Sequence, residues 1–117
     1  ENGGTMGVQG KRLEAIKLKV ASPQVAGNIS YRGHVQNIGW QPYVNMSSYI
    51  GTQGQSLRLE AFDAKLTGDL ATKFDLRYRA YVRGIGWQPW VSNGAMAGTV
   101  GQLRQIEQVQ IEAVPKG

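Results

Sequence analysis

No cysteine occurs among the 117 residues. That excludes a disulfide scaffold and a thiolate metal site, and it leaves the compartment open. Histidine occurs once, as His34, so a hydrolytic triad or a His-rich metal centre lacks parts. No apolar run approaches the roughly 18 residues that cross a bilayer. Acidic residues are few, eight against thirteen Lys and Arg, for a net charge of +5. The cations are scattered, with no run longer than Lys11-Arg12. Such a field favours anionic partners, such as wall polymers, membrane surfaces or nucleic acid. The arginines and aromatics follow no nucleic-acid-binding motif, which argues against that last partner. The opening "ENGGTMG" carries no secretory signal and reads as the interior of a longer chain.

What is present is repetition. "YRGHVQNIGWQPYV" at 31–44 returns as "YRAYVRGIGWQPWV" at 78–91, offset by 47 residues without a gap. Gly51 and Gly98, and Glu60 and Glu107, share the offset. The N-terminus matches only the back half of this unit, with Glu14 placed 46 residues before Glu60. The organisation is therefore a half repeat (1–22), a middle repeat (23–69) and a C-terminal repeat (70–117), expected to form one compact domain.

Each repeat reads as strands. Phe74, Leu76, Tyr78, Ala80 and Val82 alternate with Asp75, Arg77, Arg79 and Tyr81. Ile29, Tyr31, Gly33 and Val35 form the same inward row in the sister stretch. The back halves alternate through Ile16, Leu18 and Val20, through Phe62, Ala64 and Leu66, and through Val109, Ile111 and Ala113. Pro42 and Pro89 cannot donate to a ladder, so their segments are edges or strand starts. Sixteen glycines imply many tight turns. The expected fold is all-β with almost no helix, a pseudo-symmetric repeat domain of β-prism or β-trefoil type.

These residues resemble the ChW repeat, the clostridial hydrophobic repeat with a recurring tryptophan. The shared pattern is Y-R-x-H-V-Q-x-x-G-W-Q-x-x-V, then G-T-x-G, then R-L-E-A, and it covers almost the whole chain. Tyr81 replaces the pattern's His, Arg83 its Gln, and "RQIEQ" its "RLEA". The family occurs in secreted proteins of clostridia and other Gram-positive bacteria and in phage lytic enzymes, beside catalytic or adhesive domains. The resemblance implies a non-catalytic, extracellular binding or adhesion module without a cofactor or metal.

Candidate residues fall into three groups. Glu14, Glu60 and Glu107 lie by alternation on the core face, where a carboxylate must be paired. Arg32 and Arg79 recur with the two later glutamates and are the expected clamp partners; a ligand contact is the alternative. Trp40 and Trp87 are read either as core plugs or as flat platforms for sugar rings, with core favoured by their strict recurrence. Tyr43 and Trp90 vary in type at one position, which suits an exposed platform, with Gln41 and Gln88 as amides beside them. His34 with Tyr81, and Gln36 with Arg83, form a polar stripe facing away from the apolar side, either solvated or a second binding surface. The expected function is attachment to peptidoglycan or a wall glycan; the alternative is a protein-binding adhesin or assembly module.

Overall fold

The structure is a computed structural model, and it describes residues 5–7, 10–17, 27–45, 48–52, 54 and 57–116. Leu18 and Val20, placed inward by alternation, lie outside the described residues. The half repeat supplies β1 (Thr5–Gly7) and β2 (Ala15–Lys17). The middle repeat supplies β3 (Asn28–Val35), β4 (Gly39–Trp40), β5 (Val44–Asn45), β6 (Tyr49–Gly51) and β7 (Leu59–Thr67). A five-residue helix, α1 (Asp69–Lys73), leads into the C-terminal repeat. There β8 (Phe74–Val82), β9 (Gly86–Trp87), β10 (Val91–Ser92), β11 (Ala97–Gly98) and β12 (Ile106–Pro115) follow the same order. The protein is mostly β, built from several antiparallel sheets.

Within each full repeat the long front strand pairs antiparallel with the long back strand, β3 with β7 and β8 with β12. The short strands β4 and β5 add to β3, as β9 and β10 add to β8. Period two holds on the front strands. Ile29, Tyr31, Gly33 and Val35 are buried on one side, as are Leu76, Tyr78, Ala80 and Val82. The two core tyrosines take equivalent roles: Tyr31 donates its hydroxyl to the Ser48 carbonyl, Tyr78 to the Ala95 carbonyl. Full burial of Tyr31, Tyr78 and Phe62 contributes on the order of 2 kcal/mol each.

The repeats join by a second rule. Each short strand ending in glycine pairs with the back strand of the neighbouring unit: β6 with β2, β11 with β7, and β1 with β12. The third pairing returns from the C-terminal repeat to the half repeat, so the three units close into a ring. Each contact needs its glycine. A Cβ on Gly51, Gly98 or Gly7 would collide with the carbonyl of Glu14, Glu60 or Glu107 respectively. Thr52 and Thr99 donate their backbone N–H to the Glu14 and Glu60 carbonyls, both at 2.9 Å.

Glu60 and Glu107 each sit in a β-bulge. The register passes from His34↔Ala61 to Val35↔Leu59, leaving Glu60 unopposed, and from Ile106↔Val82 to Gln108↔Tyr81, leaving Glu107 unopposed. The extra residue takes Glu60 and Glu107 out of the alternation that assigned them to the core face, and neither meets the arginine that recurs with it. The expected clamps are therefore corrected. Glu60 accepts from Arg58 Nε at 2.8 Å and bonds His34 Nδ1 at 3.1 Å. Glu107 accepts from the Gly10 N–H and the Gln105 amide, and Glu14 pairs with Arg12.

Candidate binding face

Arg32 and Arg79 lie on the face of the front strands opposite the core. Each meets the residue directly across the ladder: Arg32 Nε donates to Asp63 Oδ2 at 3.1 Å, and Arg79 Nε to Gln110 Oε1 at 2.8 Å. Trp40 pairs across from His34, and Trp87 across from Tyr81, so both indoles stand on this same outer face. They are half-buried and lie outside the apolar core, which corrects the core-plug expectation. The core is already filled by Tyr31, Val35, Leu59 and Phe62 and their counterparts, so the tryptophans cover the sheet instead.

What they build is a stack of alternating cations and rings. In the middle repeat His34 meets Trp40 edge-on, with centroids 5.2 Å apart. Arg32 lies 4.4 Å from the Trp40 ring and 4.6 Å from the Tyr43 ring, and Lys65 caps Tyr43 at 5.7 Å. In the C-terminal repeat Tyr81 meets Trp87 edge-on at 5.6 Å. Arg79 lies 4.5 Å from Trp87 and 4.7 Å from Trp90, and Arg77 lies 4.6 Å from Trp90. The ring quadrupoles attract these cations, about 0.5–1 kcal/mol per contact at exposed sites.

Tyr43 is 46% exposed, while Trp90 is half-buried between two guanidinium groups. Burial, then a hydrogen bond to Asp63 and that residue's charge, raise the Tyr43 phenol above its ordinary range, with Arg32 opposing. The amides of Gln41 and Gln88 are engaged elsewhere. Gln41 clasps the backbone of Gly51, accepting from its N–H at 2.7 Å and donating to its carbonyl at 3.1 Å. Gln88 clasps Gly98 in the same way, at 2.7 and 3.3 Å. Each amide thus uses one donor and its carbonyl oxygen to hold the ring strands.

Three of the four residues of the polar stripe, His34, Gln36 and Tyr81, are partly buried. The His34 side chain is 16% exposed, wedged between Glu60 and Trp40. Gln36 accepts from the Arg58 N–H at the bulge, and Tyr81 leans on Trp87. Arg83 stays exposed, its carbonyl accepting from Arg104. Sequence reasoning missed Asp63, Lys65, Arg77 and Gln110 as members of this face. For Asp63 and Gln110 the signal was the offset itself, since they are equivalent positions opposite equivalent arginines.

Among the described residues no helix is long and apolar enough to cross a membrane, and no three His, Asp or Glu residues are grouped to hold a metal ion. Comparison with curated proteins and with solved structures gave no match. The family model described as Clostridial hydrophobic W matches twice, at residues 34–68 and 81–115. Each match begins at the upper rung of a ladder, His34 or Tyr81, and together they cover more than half of the sequence. With its tryptophan ladder and its glycine-clasping glutamine present in both copies, the chain belongs to the ChW, or clostridial hydrophobic W, family.

Proposed function

We propose that this domain is a non-catalytic, extracellular module that holds its parent protein on the bacterial wall by binding peptidoglycan or a wall glycan. One observation carries the reading: the same outer-face ladder occurs twice, at equivalent positions, on a core that is complete without it. Aromatic edges and guanidinium donors side by side suit the C–H and hydroxyl surfaces of a saccharide. Two such faces on one domain raise avidity without new contacts. The ring of three equivalent strand contacts supports a β-prism-like reading of the architecture.

The test is cosedimentation with purified sacculi. The parent is expected to be retained, with most retention surviving about 0.5 M NaCl because stacking is little screened. Trp90→Ala should weaken retention about fivefold, from the loss of roughly 1 kcal/mol of aromatic contact. Adding Tyr43→Ala should nearly abolish it, as avidity disappears. A double variant that binds like the parent, with an unchanged melt, would reject the ladder as the binding face. A second reading, a protein-binding adhesin, draws on Ile38 and Ile85. These sit at equivalent turn tips and are 51% and 49% exposed. If Ile38→Ser with Ile85→Ser abolishes retention on sacculi carrying wall proteins, and protease-stripped sacculi retain nothing, that reading replaces the first.

A further inference from the structure

The two ladders differ at one chemically decisive rung. Arg32 is held between two rings and its Nε is bound by the Asp63 carboxylate. Arg79 is held between two rings in the same way, but its Nε is bound by the neutral amide of Gln110. The middle repeat neutralises its central guanidinium; the C-terminal repeat only positions it. No carboxylate pairs with Arg79 among the described residues. Glu112, two residues along β12 from Gln110, lies across from Arg77 and is paired with it. Arg83 stands exposed two residues beyond Tyr81, where the middle repeat has Gln36.

We infer that the outer face of the C-terminal repeat carries a site for an oxyanion borne on a saccharide, centred on Arg79, which the middle repeat lacks. This inference rests on the wall-glycan reading and sharpens it. With Nε spent on Gln110, the terminal guanidinium nitrogens remain to fork onto two oxygens of a carboxylate or phosphate. The rings of Trp87 and Trp90 fix the guanidinium plane before a ligand arrives, so little side-chain freedom is lost on binding. They also place apolar surface beside the anion, as the sugar bearing it requires. Among the described residues, the middle-repeat cation with no carboxylate partner is Lys65, whose ammonium caps the Tyr43 ring and offers no such fork. The two faces therefore divide the work, one taking neutral saccharide and the other its acidic groups.

The experiment uses the intact 117-residue chain and three soluble probes: a neutral chitin oligosaccharide, a uronic-acid oligosaccharide and a glycerol-phosphate polymer. Gln110→Asp gives Arg79 the carboxylate that Arg32 already has, so the fold is kept, as a thermal melt will verify. Acidic-probe affinity is expected to drop about fivefold in Gln110→Asp, the worth of one charge contact. The parent should lose roughly five- to eightfold between about 0.05 and 0.5 M NaCl, and the variant should not. Arg32→Gln should leave the acidic-probe salt dependence intact, and Gln110→Asp should lower acidic-probe affinity by a larger factor than chitin affinity. The uronate and phosphate arms distinguish which oxyanion is taken. A Gln110→Asp variant with parental affinity and salt dependence overturns the inference. So does a parent that binds sacculi and chitin but neither acidic probe, which leaves the wall-binding reading standing. A parent that binds no probe and no sacculus overturns both. Equal, Arg79-dependent binding of single-stranded DNA overturns the saccharide assignment.

Discussion

A missing Cβ sets the distance between neighbouring units. Gly51 and Gly98 have φ of 87° and 93°, and each lies against a glutamate carbonyl of the adjoining repeat. Alanine there meets both the left-handed penalty and a backbone collision. Gly51→Ala and Gly98→Ala should each cost about 2–4 kcal/mol in urea unfolding. Gly39 separates the two effects, since it has φ of 87° with nothing near its absent Cβ. Gly39→Ala should cost only about 1–2 kcal/mol. Equal losses at all three sites would show that dihedral strain alone governs them. Tyr78 has a different signature. Burial, above all, pushes its phenol up from 10.0 to about 12, although a backbone hydrogen bond at Ala64 pulls the other way. The fold favours the protonated form, so this stabilisation is full below about pH 10 and is lost as pH rises toward 12. Tyr78→Phe should remove that alkaline loss while costing about 1 kcal/mol at neutral pH from its hydrogen bonds. Denaturant midpoints at about pH 8 and 11 measure it; a parallel fall in both proteins would assign the loss to another group.

The ladder on β3–β5 and on β8–β10 is where the tryptophans earn their recurrence. Because they cover a sheet and do not fill the core, Trp40→Ala and Trp87→Ala should cost about 1–2 kcal/mol through lost ring contacts. Phe62→Ala, at 0% exposure, should cost about 3–5 kcal/mol. Thermal melts of the three variants test this, and a tryptophan loss equal to that of Phe62 would return the indoles to a core role. The element scale also shows where the sequence could be read and where it could not. Period two in "FDLRYRAYV" placed Leu76, Tyr78, Ala80 and Val82 inside, because a strand with one buried face writes its pattern directly. The 47-residue offset placed every equivalent strand. Alternation failed at Glu60 and Glu107, since a bulge adds one residue without marking it in the pattern. The roles of Gln41 and Gln88 were not legible either, because their partners are backbone atoms ten positions along the chain and carry no side-chain signature. Tryptophan is large and apolar whether it fills a core or stacks on a guanidinium, so recurrence alone could not assign Trp40 or Trp87.

At the scale of the whole molecule, the half repeat completes the ring that the two full repeats begin. β1 covers the edge of β12, β2 covers β6, and Leu13 links both neighbours. Its N–H donates to the Ile106 carbonyl at 2.7 Å, and its carbonyl accepts from the Leu59 N–H at 2.9 Å. Ile16, 2% exposed, belongs to the common core. Removing residues 1–17 therefore uncovers two strand edges, strips the Gly10 bond from the buried Glu107 carboxylate and opens a gap at Ile16. Burial of Ile16 with the partial burial of Leu13 is worth on the order of 2–4 kcal/mol, a sizeable part of the stability of a domain this size. The truncated chain, residues 18–117, should show a broadened unfolding transition and faster amide exchange in β6 and β12 than in β3 or β8. A synthetic peptide of residues 1–17 added in trans should restore protection, because each of its strands docks on a preformed edge. Gly7→Val in that peptide should abolish the rescue, since its side chain would strike the Glu107 carbonyl. If residues 18–117 instead melt like the parent, the two full repeats hold themselves together and the ring contacts at Gly7 and Leu13 contribute nothing to stability.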